Sequence, residues 1–99
     1  MDIQFQFTKV VDQPLFELYQ NEPNPFHHLT TIGFTLPAAS EVVLILRDEA
    51  GKQIKVIKQE GKIGWNQIAL EETSLPTGFI YYQLHTKFGG KSRKMLRLK

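Results

Sequence analysis

The chain has 99 residues, 41% of them apolar and 11% aromatic, a formal net charge of +2 and no cysteine. This length makes one domain that buries roughly 60–70% of its unfolded surface. Without cysteine, disulfides, thiolate chemistry and Cys-based zinc sites are excluded. The longest apolar run, Val42 to Leu46, falls far short of the about 20 residues that a membrane-spanning helix needs. Charge is uneven, because residues 87–99 hold six of the 12 Lys and Arg and no acid. Such a block is either a solvated strand face with a basic tail or a docking surface for an acidic partner.

Alternation at period two runs through the chain, and helical periodicity is hard to find. Ile3, Phe5 and Phe7 alternate with polar residues, and Val10 to Pro14 reads as a linker. Residues 1–14 are therefore expected to be an upstream strand or linker, with the compact domain over 15–99. Pro23 and Pro25 hold Asn21 to Phe26 extended and block ladder pairing there. Thr30, Ile32, Phe34 and Leu36 form one face of a strand, with Thr31, Gly33 and Thr35 opposite. Gly33 is read as a bulge. Glu41 to Arg47 predicts a strand buried on both faces. Ile54 and Val56 alternate with lysines, and Trp65, Ile68 and Leu70 mark another strand. Phe79 and Tyr81 share one face; Ile80, Tyr82 and Leu84 share the other. Met95, Leu96 and Leu98 close the series.

Turn chemistry punctuates these runs. Asp48 to Gly51 reads as a type I turn in a hairpin. Glu60-Gly61 and Gly89-Gly90 read the same way, with Gly supplying positive φ. Strands recurring about every 8–12 residues predict an all-β, immunoglobulin-like antiparallel sandwich of about seven strands.

Several fragments resemble chemical motifs and lack their context. Leu75-Pro76-Thr77-Gly78 has the wrong spacing for a cell-wall sorting signal, and no apolar helix follows it. Gly90-Lys91-Ser92 resembles the end of a phosphate loop, but His85 stands where the first Gly belongs, between strands. His27 and His28 point in different directions, and His85 is alone, so no metal is expected. Ser40, Ser74 and Ser92 lack a nucleophile elbow. Glu71 and Glu72 alternate faces. No enzyme, cofactor or nucleic-acid partner is expected, because the aromatics near the basic residues read as core.

The segment Leu18-Tyr19-Gln20-Asn21-Glu22-Pro23-Asn24-Pro25-Phe26 closely resembles the opening motif of the type A C-terminal sorting domains of the type IX secretion system. These domains are related to bacterial immunoglobulin-like domains of the flagellar hook-capping type. The family's further motifs follow in order: Thr30 to Pro37, Val42 to Leu46, Asp48 to Lys52, Leu75 to Tyr82, and Lys94-Met95-Leu96-Arg97-Leu98-Lys99. The resemblance spans residues 15–99. Gly33 departs from it, replacing a charged or bulky residue.

The resemblance implies a non-catalytic domain that directs an attached upstream cargo through the periplasm to the cell surface of Bacteroidetes-type bacteria, where the cargo is secreted or retained. Its implied partners are the outer-membrane type IX translocon and a sortase-like surface peptidase. No signal peptide is visible after Met1, so the chain is expected to be a piece of a longer precursor. Lys94, Met95, Leu96, Leu98 and Lys99 are the expected recognition residues. They lie on a terminal strand whose free edge invites strand addition. Asn24, Pro25, Phe26, Gly51 and Gly78 are expected to shape the fold. Two other readings stay open: an accessory module that binds polysaccharide or a neighbouring domain, and a homodimer paired through Ile3, Phe5 and Phe7.

Overall fold

The computed structural model describes residues 15–71 and 75–99. Ile3, Phe5 and Phe7, and with them the upstream strand or linker, lie outside the described residues. Within them the chain forms seven strands and no helix: β1 (Glu17–Leu18), β2 (Leu29–Leu36), β3 (Ser40–Arg47), β4 (Gln53–Gly61), β5 (Gly64–Glu71), β6 (Gly78–Thr86) and β7 (Gly89–Arg97). All neighbouring strands pair antiparallel, in one sheet of order β1-β2-β5 and a second of order β4-β3-β6-β7. This is an immunoglobulin-like sandwich in which the fourth strand has moved to the larger sheet.

Period-two patterning decides which side chains meet between the sheets. Ile32, Phe34 and Leu36 of β2 and Ile68 and Leu70 of β5 face Val42, Leu44 and Leu46 of β3 and Ile80, Tyr82 and Leu84 of β6. Most of these are fully buried. Each such side chain contributes about 1.5–3 kcal/mol relative to staying exposed. Met95 of β7 and Phe26, from the loop before β2, complete this core.

Four local expectations are corrected. First, β3 is buried on one face only: Val43 and Ile45 lie half-exposed on the outer surface. Second, Ile54 and Val56 do not share a face. The β3–β4 register shifts between Leu46 and Arg47, so Ile54 joins Ile57 against the core while Val56 points outward. Third, Glu60-Gly61 is not a hairpin. The chain crosses there from one sheet to the other, and Gly64 rather than Gly61 has positive φ, 89°. Asn66 folds this crossover, since its Oδ1 accepts from Lys62 N at 3.0 Å and its Nδ2 donates to the Lys62 carbonyl at 2.8 Å.

The fourth correction concerns Gly33, which carries no bulge, because the β2–β5 register runs unbroken through Gly33 and Gln67. Glycine is needed for another reason. The six-membered ring of Trp65 lies directly on it, and a Cβ would come within 2.2 Å of that ring. The side chain that Gly33 lacks is supplied by its diagonal cross-strand neighbour. Gly33→Ala should lift the indole off the sheet. The single tryptophan then reports the change as a red-shifted emission, with stability altered by less than about 1 kcal/mol. Emission identical to that of the parent chain would show that the stacking does not hold in solution.

Candidate functional site

The expected recognition residues all lie on or just beyond β7, the last strand of the four-stranded sheet. The sequence leads to the expectation that its outer edge is open. Instead, residues 17–27 run parallel to β7 and cover it. Arg93 Nε donates to the Leu18 carbonyl at 2.7 Å, and Gln20 Nε2 donates to the Lys94 carbonyl at 2.8 Å. Leu96 N donates to Asn24 Oδ1 at 3.0 Å. Phe26 then closes a parallel bridge: its N donates to the Leu96 carbonyl at 3.0 Å, and its carbonyl accepts from Leu98 N at 2.7 Å. His27 Nδ1 lies 3.0 Å from the Lys99 carbonyl oxygen. Strand addition along 94–98 is therefore already satisfied from within the molecule.

The prolines do not pair, as expected, but their neighbours do. Glu22 forms an isolated bridge with Thr31, and both peptide bonds preceding Pro23 and Pro25 are cis. The segment is anchored from below by buried polar groups. Asn21 donates from Nδ2 to Thr30 Oγ1 at 3.0 Å and to the Pro23 carbonyl at 3.1 Å. Thr30 Oγ1 donates to the same carbonyl at 2.9 Å. The Tyr82 hydroxyl accepts from Asn21 N at 3.0 Å and donates to the Tyr19 carbonyl at 2.9 Å. Burial pushes the Tyr82 phenol above its ordinary value, while the Asn21 hydrogen bond and the charge of Arg93 pull the other way.

The recognition residues divide by parity. Met95 points into the core opposite Ile80 and offers nothing to a partner. Lys94 and Leu96 point outward: Leu96 lies opposite Phe79, and Lys94 Nζ sits 4.6 Å from the centre of the Phe79 ring. Such a cation–π contact contributes about 0.5–1 kcal/mol at an exposed site. Leu98 and Lys99 are exposed beyond the strand. Tyr81, 44% exposed, extends this outer patch.

The two shaping glycines meet through Glu49. Gly51, with φ of 86°, closes the β3–β4 turn, where Asp48 Oδ1 accepts from Ala50 N and Lys52 N, both at 2.9 Å. That turn presents Glu49, whose Oε2 accepts from Phe79 N at 3.0 Å. Gly78, with φ of 104°, keeps its side free for this carboxylate, since a Cβ there would lie 2.8 Å from it. Asn24 and Phe26 act on the β7 edge as described, and Pro25 is exposed between them.

Sequence reasoning missed Arg97. It shares the inward face of β7 with Met95, and period-two parity alone could have flagged it. Its Nε donates to the His27 carbonyl at 2.8 Å, and it also bonds the Leu75 carbonyl. Arg93 and Arg97 thus hold backbone carbonyls, and Lys91 pairs with Glu17 at 3.4 Å in an exposed contact. Much of the basic block is bonded to the protein itself. Among the described residues no group of three or more His, Asp or Glu could hold a metal ion.

Two outcomes are expected. Arg97→Lys should cost about 2–3 kcal/mol in chemical denaturation, close to the cost of Arg97→Ala, because a point charge cannot span both carbonyls. A near-neutral Arg97→Lys would remove that role. Tyr82→Phe should cost about 1–3 kcal/mol at pH 7 by leaving Asn21 N and the Tyr19 carbonyl unpaired. With the folded pKa raised, the phenol's contribution is complete below its ordinary value of 10.0 and is lost as pH rises through the folded value. The gap between parent and Tyr82→Phe should therefore narrow above pH 10.0. A gap that stays constant there would show an unperturbed phenol.

No known family model matches the chain, and no curated protein matches it.

Proposed function

We propose that this chain is a non-catalytic sorting domain that directs an attached cargo through the type IX secretion system to the cell surface. Two things support this reading: the family-like motifs in their order, and the way the first and last of them sit together. Asn24 and Phe26 from the opening motif are hydrogen-bonded to Leu96 and Leu98 from the closing one. That contact is the observation that carries the proposal, because it makes the two ends of the motif set one surface. A receptor that reads the closing motif meets the opening motif at the same place.

Recognition then works through side chains rather than strand addition, since the β7 edge over 94–98 is filled. Lys94 and Leu96, beside Phe79, together with Leu98 and Lys99, form the contact. Their positive charge speeds encounter with an acidic surface of the outer-membrane translocon. A sortase-like surface peptidase and the cargo upstream are the further partners, and the route runs through the periplasm.

Residues 15–99 fused to a periplasmic reporter, in a host with this secretion system, should bring the reporter to the surface. Deleting Met95 to Lys99 should leave it in the periplasm. That deletion also removes core and edge bonds, so a second variant separates folding from recognition. Lys94→Glu combined with Lys99→Glu changes only exposed positions. It should stay folded, with a melting temperature lowered by no more than the few degrees that the lost Lys94–Phe79 contact accounts for, and reduce surface export. Undiminished export of both variants would refute the sorting role.

A further inference from the structure

Away from β7, the outer face of the three-stranded sheet carries a second aromatic cluster. Trp65 and Tyr19 are 50% and 41% exposed, and their ring centroids lie 5.6 Å apart with planes at 49°. Both rings are held from beneath. The Trp65 indole rests on Gly33, and Tyr19 N donates to the Gly33 carbonyl at 3.0 Å. The Tyr19 carbonyl in turn accepts the buried Tyr82 hydroxyl at 2.9 Å. Two large apolar rings are thus fixed on rigid backbone and still face water.

Beside them lies an open groove of 520 Å³, within the about 300–1,000 Å³ typical of ligand sites. Its other walls are polar, formed by Gln20, Thr31, Gln67 and a single carboxylate, Glu22, with no cationic side chain. The side chains of Thr31, Gln67 and Glu22 and the Tyr19 hydroxyl make no hydrogen bond within the protein among the described residues. The groove therefore joins aromatic faces to unspent donors and acceptors.

We propose that this groove binds a neutral glycan, with a pyranose ring stacked on Trp65 and Tyr19. A pyranose has a flat face of C–H bonds and a rim of hydroxyls. The C–H face fits the electron-rich face of an aromatic ring. The rim hydroxyls can donate to Glu22 and exchange bonds with the amide of Gln67 and the hydroxyl of Thr31. Glu22, with no cation beside it, disfavours anionic sugars. The same electrostatics exclude a nucleic acid strand, which needs a basic groove under its stacking rings. Trp65, Gly33, Thr31 and Gln67 lie on the sheet opposite the one that carries Phe79 and Lys94, and Tyr19, Gln20 and Glu22 come from the opening motif, so the site uses none of the proposed contact residues Lys94, Leu96, Leu98 and Lys99.

The test uses the full chain, with cellohexaose and mannohexaose as neutral probes and a galacturonic acid hexamer as the anionic one. A neutral probe should shift the emission of Trp65 saturably to the blue, and calorimetry should give a matching dissociation constant. Trp65→Ala should weaken binding about thirtyfold, as truncating a hot-spot aromatic does. Tyr19→Ala and Gly33→Ala should weaken it as well, the latter by displacing the indole without deleting it. Tyr81→Ala, on the other sheet, should bind like the parent. Melting temperatures confirm that each variant folds, and Trp65→Phe, which keeps a ring, should retain part of the affinity. Failure of both neutral probes to bind, tighter binding of the anionic probe, or parent-like affinity in folded Trp65→Ala would each overturn the proposal.

Discussion

The hydroxyl of Tyr82 is the point on which the rest of this sandwich depends. It sits in the core on β6, yet it holds the backbone of Tyr19 and Asn21, a segment with little secondary structure of its own. A buried hydroxyl left without partners would cost about 1–3 kcal/mol, and so would the backbone groups it serves. All of these groups are satisfied together or not at all. Asn21 and Thr30 extend the set to the Pro23 carbonyl. An irregular stretch is thereby held in one place, and from there Asn24 and Phe26 can reach β7.

That arrangement solves a general problem of open sheets. An unpaired edge attracts other chains, and proteins shield it with charge, bulges or covering loops. On the β7 side the shield is residues 17–27, and the arginines of the strand fasten it. On the β4 side the devices differ: a register shift and a run of lysines, Lys52, Lys55 and Lys58. The two edges carry the same liability and resolve it with different chemistry.

Much of the fold was legible in the sequence, because period-two alternation maps directly onto burial in a two-layer sandwich. Ile32, Phe34, Ile80, Tyr82 and Leu84 are where alternation places them. The misses share a cause: each depends on a partner far away in the chain. Gly33 is explained only by Trp65, and the facing of Ile54 only by a shift opposite Leu46. The β7 edge looked open because nothing in residues 94–99 announces that residues 20–27 will bond it. At the candidate site, Leu96 and Lys94 could be assigned to one outer face by parity. Met95 and Arg97 belong inward by the same rule, which sets Met95 apart from the other expected recognition residues.

The pairing of residues 17–27 with β7 has a consequence for the order of events during synthesis. His27 and Arg97, joined by a hydrogen bond, are 70 residues apart. At about 5–20 residues per second, roughly 4–14 s separate their appearance from the ribosome. Throughout that interval the opening segment has only β2 to lie against, through Glu17, Leu18, Tyr19 and Glu22, and lacks its bonds to β7; Tyr82 arrives only late. The nascent chain cannot settle this segment early and add the remainder to it. The domain closes when its last strand arrives, so a prematurely terminated copy would expose its opening segment instead of passing as a finished one.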